Sequence, residues 1–281
     1  MYVRIAALLT CHNRKSKTHD CLMSLANVER KCQIDVFLTD DGSSDGTADM
    51  IKKEFPEVHL INGDGNLYWN RGMYSSWKED MKGDYDYFLW LNDDVVLYPF
   101  FMDELFYSIK KCGGNVIVSG LIENESKTDI IYGGYDNQKK IVGPNETPEK
   151  ITFMNGNVVL IPKEIVDSIG ILDPIYLHDL GDVDYGLRAI KAGFDVVATC
   201  RPVAYGYKNR YCRVRKWNSS LSGRFMRLYS PLGSNPSINF YYRKKHFGIL
   251  NAMGYWGYLH FINVLPDWTI TFLFGSRYTD K

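Results

Sequence analysis

A chain of 281 residues with 45% apolar and 23% charged side chains carries enough hydrophobic material for a large packed core, which excludes a disordered or fibrous protein. No window holds ~18 consecutive apolar residues, so no membrane-spanning helix is predicted. Net charge is zero but unevenly divided: residues 1–200 sum to −11, while Arg201 onward carries 13 Lys/Arg against two acids, Asp267 and Asp280.

The start, MYVRIAALLTCHNRK, has no basic n-region or small-residue cleavage site, and is expected to be a first strand rather than a signal peptide. SKTHDCLMSLANV then has helical apolar spacing, and QIDVFLTDD is a second strand. GSSDGTADMIKKEF is a turn opening a helix, with Asp45 and Thr47 as candidate caps. VHLING predicts a third strand, GNLYWNRGMYSSWKEDM a helix entered through a loop, and YDYFLWLND a fourth strand. Short apolar strands alternating with helices imply a mostly parallel sheet covered on both faces, whose ligands bind at the carboxyl ends of the strands. Residues 113–149 are polar and turn-rich, with strand-like pieces and no helical period. ITFMNGNVVLIP is a strand leading to a helix over 163–169, LHDLGDVDYGLRAIKAG a loop and helix ending at Gly193, and FDVVATC a further strand. The six cysteines are scattered without a C-x-x-C pair, as in a cytosolic protein with reduced thiols.

Three acidic segments call for explanation. In FLWLNDDVVL, Asp93 and Asp94 stand together at the end of an apolar strand, where like charges and lost hydration cost several kcal/mol unless compensated. A divalent cation with oxygen ligands would remove that repulsion; a solvated strand end would also tolerate it. Asp40 and Asp41, in TDDGSSDGT, suit a nucleobase N–H or ribose hydroxyls, and equally suit a capped turn. HDLGDVDYGLR places three carboxylates at a helix start, where one could serve as a general base or all could complement the helix dipole.

Together, and in this order, the segments closely resemble family 2 glycosyltransferases of the GT-A fold over about residues 3–205. LLTCHNR is similar to the family's Thr/Ser-x-Asn-Arg motif, FLTDDGSSDGT to its V-D-D-G-S-x-D-G-T nucleotide motif, and WNRGM to its A-x-N-x-G segment. LNDDVVL resembles the D-x-D region, NGNVVLIPKEIVDSIGILDP the acceptor-side strand and helix, and GDVDYGLRAIKAGF the block that carries the base. The resemblance implies an α/β GT-A domain and inverting transfer of a hexose or deoxyhexose. The donor would be a UDP- or dTDP-sugar, and the acceptor a glycan or lipid-linked oligosaccharide of a bacterial surface polysaccharide, as in rhamnosyltransferases. It implies Asp182 as the base; Thr10, Asn13, Arg14, Asp40, Asp41, Asn70, Arg71 and Asp93 around the donor; and Asp94 as ligand of Mn2+ or Mg2+. Asn92, Asp184, His178 and Arg188 are secondary candidates. The chain departs from the pattern at Asn92, the first D-x-D position; at Gly181, usually an acid; and at Tyr205 and Tyr207, where a metal-binding His is common. A nucleotidyltransferase would lead with a glycine-rich phosphate loop, which CHNRKSK lacks. An inactive scaffold partnering another transferase would have no need of both Asp94 and Asp182.

The expected organisation is a catalytic domain over 1–225, with a donor half to about 112 and an acceptor half beyond, followed by a basic, aromatic, helical extension over 226–281. Basic residues beside Tyr, Trp and Phe suit an anionic membrane surface, giving a cytoplasmic protein peripheral to the plasma membrane; a helical pair packed on the catalytic domain or across a homodimer is the alternative. Nucleic acid is not an expected partner.

Overall fold

A computed structural model of the chain describes residues 3–27, 32–80, 83–208 and 212–278. The first half alternates as the apolar runs predict: β1 (Arg4–Cys11), α1 (Lys15–Ala26), β2 (Gln33–Asp40), α2 (Thr47–Glu54), β3 (His59–Asn62), α3 (Tyr68–Asp80) and β4 (Tyr87–Leu91). The ends expected for the first and third helices, Val28 and Met81, lie outside the described residues. There follow β5 (Val96–Leu97), α4 (Phe101–Lys111), β6 (Val116–Asn124), β7 (Ile130–Tyr132), β8 (Gly134–Tyr135), β9 (Glu149–Lys150), β10 (Phe153–Met154) and β11 (Val158–Pro162). Helices α5 (Lys163–Ile169) and α6 (Gly181–Lys191) precede the long β12 (Asp195–Gly206). Four helices complete the chain: α7 (Leu221–Tyr229), α8 (Pro236–Phe247), α9 (Ile249–Val264) and α10 (Asp267–Phe274).

The main sheet has the order β3-β2-β1-β4-β11-β6-β12-β5. Along this order all strands run one way except β11, antiparallel to both β4 and β6, and β5, antiparallel to β12; β7 and β9 join the same sheet antiparallel to β6 and β12. Side chains alternate across the strands, so each strand feeds two cores. Ile5, Ala7, Leu9, Leu89, Leu91, Val158 and Leu160 pack on one face with α1, α2 and α4. Ala6, Leu8, Phe88, Trp90, Val159 and Ile161 pack on the other with α3, α5 and α6. There Trp77, Trp90 and Tyr185 meet with ring centroids 5.1–5.5 Å apart, which ties α3 and α6 to β4.

The chain divides into two compact units, Met1–Pro174 with Gly181–Lys208, and Ile175–Leu180 with Asn209–Lys281. The second unit thus starts upstream of the 225/226 division expected from composition and takes in α7. Its apolar cluster is small, centred on Ile262, Ile270 and Tyr278. A part-buried ion pair supplements it: Arg215, fully buried, donates to Asp267 at 2.6 Å and to the Leu265 carbonyl at 2.8 Å, and also to the Ile262 carbonyl.

Candidate active site

The acidic segments sit where a parallel sheet gathers its ligands. β2 ends at Asp40 and β4 at Leu91, so Asp40, Asp41 and the Asn92-Asp93-Asp94 run lie at the carboxyl ends of the two strands that flank β1. Arg14 enters the same rim from the β1–α1 corner. Its Nη1 donates to Asp93 Oδ1 at 3.1 Å and to Asp94 Oδ2 at 2.8 Å. Thr18, one helical turn on, donates to Asp93 Oδ2 at 3.2 Å. Burial pushes the Asp93 carboxyl up to about 6, with Arg14 pulling it down and Asp94 pushing it up. The compensating cation for the adjacent carboxylates is therefore an arginine of the chain itself.

Asn92 is held on both sides of its amide. Its Oδ1 accepts from Trp69 Nε1 at 2.7 Å, and its Nδ2 donates to Asn157 Oδ1 at 2.6 Å. The residue before Asn157, Gly156, donates its main-chain N–H to Asp182 Oδ2 at 3.0 Å. The turn Asn155-Gly156-Asn157 thus joins the acidic rim of β4 to the first turn of α6. Only glycine fits at Gly156, since a Cβ would lie 2.6 Å from the Trp69 ring and 3.1 Å from the Asp182 Cβ.

Asp182 lies in the first turn of α6, part-exposed, where the helix dipole favours a negative charge. Asp184 is fully buried and accepts from Arg188 Nε at 3.0 Å; Arg188 also donates to the carbonyls of Ile169 and Ile171. That pair fastens α6 to the end of α5, and leaves Asp182 as the carboxylate of the helix start that meets solvent. Gly181 has no room for the acid common at its position: a Cβ there would fall 1.7 Å from Asn70 Oδ1.

The other residues implied by the resemblance build the walls. Thr10 donates to the Thr39 carbonyl at 3.2 Å and lies under Gly72. Asn13, at φ 50°, accepts from Ser44 N–H at 2.8 Å and so braces the turn after β2. Asp45 accepts the N–H groups of Lys15 and Thr47, capping the starts of α1 and α2 together. Asp41 is buried and accepts three main-chain N–H groups, from Gly65, Leu67 and Tyr68, which caps α3. Asp40 Oδ1 accepts from Ser43 N–H at 3.0 Å. Asn70 and Arg71 donate to the carbonyls of Asp173 and Pro174. His178 belongs to the Ile175–Leu180 segment of the second unit. Tyr205 pairs with Val96 beside the acidic rim, and Tyr207 donates to Glu125. Sequence reasoning missed the roles of Trp69, Gly156 and Asn157. It also missed Thr18, although its spacing of four from Arg14 places both on one helix face.

A divalent metal does not suit this donor set as it stands. Asp93 Oδ1 and Asp94 Oδ2 are engaged by Arg14, Asp93 Oδ2 by Thr18, and Asn92 by Trp69 and Asn157. Among the described residues no group of three or more His, Cys, Asp or Glu is placed to hold an ion.

A mostly parallel sheet between helices, with carboxylates on its carboxyl rim and a part-exposed aspartate opening the helix behind it, is the GT-A type of α/β fold. The profile of glycosyl transferase family 2 matches residues 7–170, more than half of the chain, and the protein belongs to that family of nucleotide-sugar glycosyltransferases. No curated protein sequence matches it. Solved structures share its fold at low identity. TarS 1–349 of S. aureus is 11% identical at a TM-score of 0.58, covering 99% of this chain and 76% of that one. Mannosyltransferase PcManGT from Pyrobaculum calidifontis, in complex with GDP-Man and Mn2+, is 11% identical at a TM-score of 0.58, covering 94% and 74%. TarS 1–349 with UDP-GlcNAc is 11% identical at 0.56, covering 97% and 76%.

Proposed function

We propose that the protein is an inverting transferase that moves a hexose or deoxyhexose from a nucleotide-diphosphate sugar to a hydroxyl of a glycan or lipid-linked acceptor in surface-polysaccharide synthesis. The observation that carries this reading is the fixed link from Asp182 through Gly156 and Asn157 to the rim of Asn92, Asp93 and Asp94. Asp182 would take the acceptor proton as the hydroxyl attacks the anomeric carbon, and the diphosphate would leave on the far side, toward Arg14. The hydroxyl oxygen forms one bond to carbon as the bond to diphosphate breaks, so configuration inverts with no covalent enzyme intermediate. Asp40, Asn13, Arg14 and Asp93 stand at the donor end, while Thr10, Asp41, Asn70 and Arg71 act by shaping the walls. UDP-GlcNAc and GDP-Man in the TarS and PcManGT complexes support a nucleotide-sugar donor. A panel of UDP-, dTDP- and GDP-sugars, assayed for donor hydrolysis and for thermal stabilisation, tests the reading. At least one should stabilise the protein and turn over. Failure of all of them on both readouts would leave the inactive scaffold.

The second unit supports peripheral attachment to an anionic membrane. No described helix is long and apolar enough to cross one. The unit holds eleven Lys/Arg against three acids, and α9 and α10 expose a row of apolar side chains. Leu250, Trp268 and Phe272 are 82%, 74% and 84% exposed, with Met253, Phe261 and Val264 on the same helices. Two copies meeting through this unit would oppose like charges, whereas anionic lipid attracts them, at about 1 kcal/mol per basic residue near the surface. The intact protein should float with anionic vesicles, less so in high salt and not with neutral ones. Trp268→Ser with Phe272→Ser should abolish flotation at little cost in stability. A protein left in the soluble fraction with both vesicle types would refute attachment.

A further inference from the structure

The Asp93–Asp94 pair already holds a cation. Arg14 Nη1 bonds Asp93 Oδ1 and Asp94 Oδ2, one oxygen from each carboxylate. Of the neighbouring acceptors, Asp93 Oδ2 accepts from Thr18 and Asn92 Oδ1 from Trp69. Arg14 is the cap residue of α1, and its main chain is fixed there by Asn13 N–H on Ser43 and Lys15 N–H on Asp45. Its side chain can swing while the corner that carries it stays in place. A guanidinium keeps its proton at any working pH, so the arginine leaves the pair by displacement and not by losing its charge.

We propose that Arg14 is the resident counter-ion of Asp93 and Asp94, and that a divalent ion and the Arg14 guanidinium are mutually exclusive occupants of the pair. The donor-free protein therefore excludes Mn2+ and Mg2+, and an ion enters only when something draws Arg14 away. An exposed ion pair would be a weak barrier, and Arg14 is 46% exposed. Its partner Asp93 is different: that side chain is 6% exposed, so removing the guanidinium strands a buried charge unless a second cation arrives in the same event. Exchange of one cation for another is the change that leaves Asp93 compensated throughout.

The consequence for catalysis rests on the donor site proposed above, but the test needs no donor. Mn2+ alone is titrated into the full chain and followed by electron paramagnetic resonance, for the wild type, Arg14→Gln, Arg14→Lys and Arg14→Gln/Asp94→Asn. Arg14→Gln should bind one ion at concentrations where the wild type binds none, a gain of roughly tenfold or more, the scale of one charged hydrogen bond. Arg14→Lys, whose ammonium reaches the carboxylates as a point charge, should fall between them; it also decides the matter where the glutamine variant does not fold. The double variant should lose the gained site. Equal Mn2+ affinity in the wild type and the Arg14 variants, whether all bind or none, overturns the proposal, as does a gain that survives loss of Asp94. Stabilisation by UDP without metal, measured in parallel, reports on the donor site separately. A protein that ignores every nucleotide yet shows the exchange would sink the functional reading and leave this one standing.

Discussion

Asp182→Asn should reduce turnover by ~10² or more, the usual scale for loss of a general base. The substitution keeps the shape of the side chain and one oxygen, which can accept from either the Gly156 or the Val183 N–H, where the carboxylate now accepts both on separate oxygens at 3.0 and 2.8 Å. What it removes is the ability to take a proton. Donor affinity should change less than turnover, because the link from Asp182 to the proposed donor rim runs through Gly156 and Asn157. Steady-state rates beside donor binding by calorimetry separate the two quantities. Asp184→Asn is the control: Asp184 is fully buried and paired with Arg188, so its loss should act on stability. Full activity in Asp182→Asn would remove the base from the proposed mechanism.

The largest effect on folding should come from Arg215→Met, which is expected to destabilise the second unit by about 1–3 kcal/mol, the range for leaving a buried polar group unsatisfied. Methionine fills similar space but takes the guanidinium from the Ile262 carbonyl, while Leu265 keeps Arg224 as a donor and Asp267 keeps Arg224 and the Asn218 N–H. The small cluster around Ile262, Ile270 and Tyr278 has little apolar burial to offset that loss. Denaturant unfolding should then show an early transition, with proteolysis concentrated beyond residue 208. Arg215→Met/Asp267→Asn should recover little of the stability, because Asp267 also pairs with Arg224 at 3.5 Å. A shift below about 1 kcal/mol would mean that the pair is no more than an exposed salt bridge in energetic terms.

Much of this architecture is legible in the sequence, for a local reason. Strand alternation and helical spacing are short-range signals, and they located β1 to β4 with their intervening helices, and also α5, α6 and the start of β12. That Asp40 and Asp94 fall on one rim follows from the parallel βα order. The partners that fix each site residue are not local. Arg14 meets Asp93 and Asp94 across 79 and 80 positions, and Trp69 meets Asn92 across 23. Asp41 looked like a ligand contact or a turn, yet its carboxylate caps a helix that begins 27 residues later. The cation behind the adjacent aspartates was legible only as a requirement: the electrostatics demands a positive charge without saying whether protein or solution supplies it. The division of the chain followed packing and not charge. The basic bias begins near Arg201, but contacts assign the end of β12 to the first unit and return Ile175–Leu180 to the second.

The reversed strand β11 has a mechanical consequence. Because it runs against β4, with Val158 opposite Leu91 and Pro162 opposite Tyr87, its beginning lies level with the end of β4. The turn that carries Gly156 and Asn157 is thereby delivered to the rim where the parallel strands finish. The proposed donor and acceptor sides are then parts of one unbroken hydrogen-bonded sheet, from β3 to β5. A sheet has no hinge between neighbouring strands, so this catalytic unit cannot open and shut as a clamshell around its substrates. Entry of the sugar nucleotide and escape of the spent diphosphate fall to side chains and loops on the rim, while the distance the sugar must travel is set by a rigid floor.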